Sequence, residues 1–285
     1  MHDKQLEPFL KWPGGKRWFV KKYQDYFPVD YNTYIEPFLG SGAVFFSLHP
    51  QKAILADINM ELINLYMIMR DNPEQLKNQM IYHQNNHNRK YYYKVRDIVS
   101  TDSLECASRM LYLNRACYNG MYRVNKKGLF NVPIGTKNNF IYDLNKFDDY
   151  AEYLKNSKLI CGNFYDVINS AQKNDFIFAD PPYATADKNS FTKYNDELFT
   201  WEDQNKLHRS LVDAKNRGAK IILTNVYCKE IIEMYKRDGF YIHILKRSSN
   251  IAGKVDKRGQ VKELMITSSR KSRKRKENHE QNSNS

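Results

Sequence analysis

Apolar positions along this chain fall into two rhythms. Five short runs are bounded by polar and turn residues: Tyr34-Ile35, Ala53-Ile54-Leu55-Ala56, Lys158-Leu159-Ile160-Cys161, Phe176-Ile177-Phe178-Ala179 and Ile221-Ile222-Leu223. That is the pattern of strands buried on both faces. Between most of them, apolar residues recur at helical spacing. Residues 59–70 predict one helix, and residues 229–238, ended by Gly239, predict another. Thr200 with Asp203 three positions on is a capping-box arrangement opening a helix that runs to Gly218. Strands alternating with helices predict an α/β fold with a mostly parallel, doubly wound sheet. The last two runs, 240–245 and 261–267, have no helix between them and are expected to pair antiparallel, as a terminal antiparallel strand.

The alternation breaks over residues 73–154, where the sequence is helical and polar. It carries Arg89-Lys90-Tyr91-Tyr92-Tyr93-Lys94, then Met110-Leu111-Tyr112-Leu113-Asn114-Arg115, and closes on a loop from Gly120 to Gly128. An insertion of about eighty residues is too long for a connection between strands. The expected organisation is one domain from residues 1–72 and 155–268 and a second, inserted one from 73–154. Residues 269–285, charge followed by Asn, Gln and Ser, read as a disordered basic tail.

Charge narrows the partners. The chain of 285 residues carries 45 Lys and Arg against 32 Asp and Glu, a net +13. Arg270, Lys271, Arg273, Lys274, Arg275 and Lys276 sit in the tail, yet most of the excess stays on the folded part. This favours a nucleic acid over a membrane, because no amphipathic basic helix is evident. No apolar run approaches the roughly eighteen residues of a membrane span, so the chain reads as soluble. Its polar start, Met1-His2-Asp3-Lys4, is unlike a signal peptide. Cys106, Cys117, Cys161 and Cys228 form no paired motif and read as free thiols in a reducing cytoplasm. No metal is expected: His83 and His87 lie one helical turn apart, but nothing nearby completes a site, and they read as a solvated helix face.

The chemistry concentrates after two strands. Asp180-Pro181-Pro182-Tyr183 follows the apolar run 176–179, and its prolines force the strand to stop. A carboxylate, a carbonyl and an aromatic face are thereby presented at the strand's carboxyl end, where open α/β sheets bind ligands. Such a set suits a planar, amine-bearing base. Glu36-Pro37-Phe38-Leu39-Gly40-Ser41-Gly42 follows the first strand, with glycines that admit a nucleotide-like ligand to the backbone, and Asp57 ends the second, placed for ribose hydroxyls. Gly14-Gly15-Lys16 is not a P-loop, since Leu10 and Arg17 stand where Gly and Ser/Thr are required. A ribose site beside an amine-holding site implies S-adenosyl-L-methionine donating to an amino nitrogen.

Lys11-Trp12-Pro13-Gly14-Gly15-Lys16, Glu36-Pro37-Phe38 with Gly40 and Gly42, Ala56-Asp57-Ile58-Asn59, Asn119-Gly120 to Arg123, Phe130-Asn131-Val132-Pro133 and Asp180 to Tyr183 occur in that order. From about residue 8 to 268 the chain resembles the Dam-type, alpha-group DNA adenine-N6 methyltransferases. The resemblance implies a Rossmann-like methyltransferase domain with an inserted DNA-recognition domain. It implies that Trp12, Lys16, Asp57 and Asp180 contact the methyl donor, with Phe38, Gly40, Gly42 and Phe164 lining its pocket. Lys16 is then expected to pair with the donor's carboxylate.

The acceptor side follows from the target. Adenine N6 is a poor nucleophile, so Asp180 and the Pro181 carbonyl are expected to accept its N–H bonds while Tyr183 stacks on the flipped base. In the insertion, Arg123 is the expected guanine reader, Tyr118 the residue inserted between bases and Asn119 its neighbour at the gap. Arg115, Lys126 and Lys127 are expected on phosphates, and Asn125 and Pro133 complete the DNA-facing set. Arg247-Ser248-Ser249 with Lys257-Arg258 recur in the family as a basic loop over DNA. Family members that read GATC commonly carry Gly-Arg-Tyr after the Phe-Asn-Val-Pro segment. Here Gly135-Thr136-Lys137 stands there, leaving GATC and a related GAT-containing site both open. RNA adenine methylation and a non-catalytic DNA-binding regulator are the alternative readings. The expected state is a cytoplasmic monomer on double-stranded DNA, in a prokaryotic or phage-infected cell, with any restriction endonuclease a functional rather than physical partner.

Overall fold

The computed structural model describes residues 6–125, 127–136, 143–183, 199–248 and 260–270. Seven strands form one sheet: β1 (Tyr34–Glu36), β2 (Ala53–Asp57), β3 (Ser157–Cys161), β4 (Phe176–Ala179), β5 (Lys220–Val226), β6 (Tyr241–Ser248) and β7 (Gln260–Thr267), in the order β3-β2-β1-β4-β5-β7-β6. The first five pair parallel. β7 pairs antiparallel with both β5 and β6, as expected for runs with no helix between them. It is the last strand among the described residues but lies inside the sheet, with β6 outside it. The doubly wound reading therefore holds, with the inverted strand one place in from the edge.

Side-chain alternation along the central strands divides the core between the two sheet faces. Tyr34, Leu55, Phe176, Phe178 and Ile222 enter one cluster, while Ile35, Ala56, Ile177, Ala179, Ile221 and Leu223 enter the other. The first face carries α1 (Arg17–Tyr23), α2 (Ala43–Leu48) and α3 (Met60–Asp71). It continues without a break into α4 (Pro73–Asn86), α5 (Arg89–Arg96), α6 (Ser103–Ala116) and α7 (Phe147–Leu154). The second carries α8 (Phe164–Asn169), α9 (Trp201–Asn216) and α10 (Lys229–Arg237). The capping box at α9 is present: Thr200 Oγ1 accepts from the Asp203 N–H, and Asp203 accepts from the Thr200 N–H. Asn59, Asn88 and Asp102 cap α3, α5 and α6, each with its side chain accepting the N–H three residues on. Among the described residues, no helix is long and apolar enough to cross a membrane.

After β1 the chain runs outward through β2 and β3, then returns to β4 on the other side of β1. The crevice between the carboxyl ends of β1 and β4 is therefore the topological switch point, where such sheets place ligands. Glu36 ends one of these strands, and Asp180 directly follows the other.

One expectation fails among the helices. His83 does not lie on a solvated face: it is 6% exposed, its ring stacked on Tyr112 at 4.6 Å and its Nδ1 2.8 Å from the Tyr91 hydroxyl. α4 packs onto α6, and the Tyr-rich α5 closes over the ring, so the histidine turns inward. His87, just past α4, meets the Tyr112 hydroxyl at 2.8 Å. Burial lowers the His83 pKa to about 4. The unfolded chain, with an imidazole near 6.5, binds the extra proton first, so stability is full above that value and is lost as pH falls toward 4. Between pH 7.5 and pH 5 the wild type should lose about 2 kcal/mol more unfolding free energy than His83→Phe, as read by urea denaturation. Parallel losses in the two proteins would show that the imidazole is not held neutral.

Candidate active site at the sheet switch point

The acceptor half of the site is built around one carboxylate. Burial on the sheet edge pushes the Asp180 carboxyl above its usual range, and the Lys16 ammonium and the Thr224 hydroxyl oppose that shift. Lys16 Nζ lies 2.8 Å from Asp180 Oδ1, and Thr224 Oγ1 donates to the same oxygen at 2.6 Å. Among the described residues Oδ2 receives no hydrogen bond, so one oxygen is held and the other keeps its lone pairs. Lys16 is only 5% exposed, and its three N–H donors go to Asp180, the Gly14 carbonyl (3.0 Å) and the Tyr183 hydroxyl (3.3 Å). Its partner is therefore Asp180, where the sequence reading paired it with a donor carboxylate.

Tyr183 extends the network. Its hydroxyl donates to Glu263 Oε2 at 2.9 Å, and burial followed by the charges of Asp180 and Glu263 holds the phenol well above its ordinary pKa, keeping that proton in place. Glu263 is 4% exposed on β7, paired in register with Val226 of β5. Pro181 is buried and Pro182 exposed, as the turn requires. Thr224 and Glu263 were not anticipated, because each sits within a strand and carries no local motif. The one available signal was a charge at position 263 in a segment whose neighbours Leu264, Met265 and Ile266 are fully buried.

The other half lies across the crevice. Asp57 accepts from the Gly40 N–H through Oδ2 at 3.1 Å and from the Asn59 N–H through Oδ1 at 3.0 Å, which fixes its carboxylate and leaves lone pairs on both oxygens. Gly40 has φ +48°, and a Cβ there would come within 2.8 Å of the Trp12 indole, so only glycine lets the loop lie against that ring. Gly42, also at positive φ, starts α2. Phe38 stacks on Phe164 at 5.2 Å, and both touch Phe199, giving an apolar aromatic wall. Glu36 is buried, with the Tyr34 hydroxyl donating to it at 2.8 Å; burial, reinforced by the charges of Asp180 and Asp57, raises its pKa well above the usual range and favours its neutral form.

The remaining candidates lie on the insertion. Tyr118 is 48% exposed on a single helical turn, followed by Asn119 at φ 56°. Arg123 is exposed and braced, its Nε donating to Asn131 Oδ1 at 2.7 Å. Asn125 Oδ1 accepts from the Lys127 and Leu129 N–H groups and so shapes the turn. The Pro133 carbonyl accepts from the Tyr118 N–H at 2.9 Å, and Arg115 is exposed at the end of α6. Lys126, residues 249–259 of the basic loop and the tail beyond residue 270 lie outside the described residues.

A carboxylate, an aromatic ring and a glycine-lined acidic pocket across one crevice fit the transfer of a group onto an amine. Residues 12–251 match the family model described as D12 class N6 adenine-specific DNA methyltransferase. This chain belongs to that family. A type II methyltransferase of Lactococcus lactis subsp. cremoris is 39% identical over 272 residues, covering 92% of this chain and 95% of the relative. A type II methyltransferase of Methanocaldococcus jannaschii is 34% identical over 92% of this chain and 99% of its own. A DNA adenine methylase of Vibrio cholerae is 31% identical over 92% and 96%. The chain is thus an adenine-specific DNA methyltransferase, as its motifs implied.

The expectation that Asp180 accepts the amine's N–H puts its ionisation on the low-pH side of the rate. On that expectation the working form is the carboxylate, and activity rises with pH through its raised pKa. An opposite charge at this range typically lowers a carboxyl pKa by about 1–3 units. In Lys16→Met the acid limb of the single-turnover pH profile should therefore move up by about 1–3 units, and in Thr224→Val it should move the same way by less. A limb that stays in place in Lys16→Met would remove Lys16 from control of Asp180.

Proposed function

We propose that this enzyme transfers a methyl group from S-adenosylmethionine to N6 of an adenine extruded from duplex DNA, in GATC or a related GAT-containing site. The observation that supports this most is the division of labour on Asp180: Oδ1 is held by Lys16 and Thr224, Oδ2 receives no hydrogen bond among the described residues, and the same Lys16 ammonium lies 5.3 Å from the Tyr183 ring. Trp12, Gly40, Gly42 and Asp57, with the wall of Phe38 and Phe164, are the residues that hold the donor; the narrow Gly40–Trp12 contact and the fixed Asp57 carboxylate fit a nucleoside. Bound there, the donor supplies an electrophilic methyl group. Asp180 Oδ2 and the Pro181 carbonyl accept the two N6–H bonds, turning the nitrogen's lone pair out of conjugation with the ring. Asp180 receives the proton that N6 sheds as the N–C bond forms and the methyl–sulfur bond breaks, its electron pair staying on the sulfur of the departing S-adenosylhomocysteine. Tyr183 stacks on the base, its hydroxyl tied to Glu263. Alignment and fixed dipoles carry the acceleration, with no covalent enzyme intermediate.

Residues 1–72 and 155–268 form the catalytic domain on this reading, and 73–154 the recognition domain. Arg123, braced by Asn131, reads guanine, Tyr118 enters the stack, Asn119 bonds beside it, and Arg115, Lys126 and Lys127 meet phosphates. The enzyme works as a cytoplasmic monomer, and a restriction endonuclease is a functional partner only. Tritiated methyl transfer to duplexes carrying GATC, GATATC or scrambled sites tests this directly. Label on adenine N6 in a GAT-containing duplex, lost by at least 100-fold in Asp180→Ala that still binds donor, is the expected result. Label in RNA alone, or equal label in scrambled DNA, would overturn it.

A further inference from the structure

Tyr122 connects the two halves of the molecule. It follows Gly120 and precedes Arg123, so it belongs to the loop proposed to read bases. Its ring, however, stacks inward on Trp12, with centroids 4.9 Å apart and planes at 26°. Its hydroxyl donates to Glu61 Oε2 at 2.8 Å, and Glu61 Oε1 meets Arg109 Nη1 of α6 at 3.6 Å. Trp12 in turn lies against Gly40, whose N–H is bonded to Asp57. Two further ties run beside this stack. Asn114 of α6 holds both the N–H and the carbonyl of Lys11 (3.0 and 2.7 Å), and Gly120 packs on the Lys11 side chain. A loop that only faced DNA would need none of these inward contacts.

We propose that Tyr122 is a positioning residue that holds Trp12 against the Gly40–Asp57 loop, so that ordering of the Arg123 loop on its target and binding of the methyl donor strengthen each other. The inference rests on the reading of Trp12, Gly40 and Asp57 as the donor site. An aromatic stack restrains the indole, and two ligands that order the same element are coupled reciprocally.

The test is calorimetric titration of S-adenosylhomocysteine, the demethylated donor, which permits no turnover. It is made with and without the duplex labelled in the assay above, with Trp12 fluorescence as a second readout (assigned by Trp12→Phe). Wild type should bind more tightly when the duplex is present. Tyr122→Ala should weaken duplex-free binding about tenfold and abolish the gain from DNA. It should also raise the donor KM far more than it lowers kcat. Tyr122→Phe should restore binding and coupling, since it keeps the stack and loses only the bond to Glu61. Tyr122→Leu, a milder change, serves if the alanine variant is unfolded by circular dichroism, and should show the same loss. Donor binding and coupling unchanged in folded Tyr122→Ala or Tyr122→Leu would overturn the role of Tyr122 while leaving the donor site standing. No binding by the wild type would overturn the donor site and the inference with it.

Discussion

The structure turns on keeping one carboxylate ionised where water is nearly excluded. Asp180 follows a strand whose four residues are fully buried, and several kcal/mol oppose a charge in such a place. The chain answers with a cation from its own beginning: Lys16 is drawn in until all three of its donors are used, and its nearest acceptor is the Asp180 carboxylate. Residues 6–16, which belong to no strand and precede the first helix, anchor that lysine by burying apolar side chains. Leu6, Phe9 and Leu10 are buried, and the backbone of Lys11 is held by Asn114. The inverted strand has the same cause and effect. Because β7 runs against β5, its early residues arrive at the sheet edge where β4 and β5 end, and this is what brings Glu263 to the Tyr183 hydroxyl.

Charge works at two ranges in this molecule. Over long distances the net +13 attracts a polyanion. At the switch point the sign reverses, with Asp57, Asp180 and Glu263 gathered around a crevice and Lys16 bonded to Asp180. An acidic edge repels phosphate and suits a ligand that brings hydroxyls and an amine. The neutral form favoured at Glu36 fits this balance, since a further anion between Asp57 and Asp180 would raise the cost of both.

Local signals made most of the fold legible. Two-sided apolar runs marked the parallel strands, the Thr200–Asp203 pair marked α9, and the prolines after Ala179 marked the end of β4, since each depends on residues within a few positions of one another. What escaped the sequence was set by contacts across long separations. The partner of Lys16 lies 164 positions away, and Tyr183 meets Glu263 across 80. Thr224, directly after Ile221, Ile222 and Leu223, reads as an ordinary β-former until β4 is laid beside it. His83 looked solvated because its helix is polar overall, and only the tyrosines of α5 and α6 make it a core residue.

The Gly14-Gly15-Lys16 stretch shows how composition misleads and geometry decides. Its glycines and lysine suggest a phosphate loop, but here they fold the lysine back. Gly14 adopts φ +78°, a conformation costly for any residue with a Cβ, and so its carbonyl comes within 3.0 Å of the Lys16 ammonium two positions on. Gly15 closes the turn by donating to the Trp12 carbonyl at 3.1 Å. The turn thus fixes Trp12 and Lys16 at once, one toward Gly40 and the other toward Asp180. A side chain at Gly14 would meet no neighbour, so its requirement is purely one of backbone conformation. Six residues carrying the ring for one half of the crevice and the cation for the other leave little freedom for either half to move alone. The same six are gripped by Asn114 and stacked upon by Tyr122, so the helices of the insertion and the sheet edge share one mechanical element.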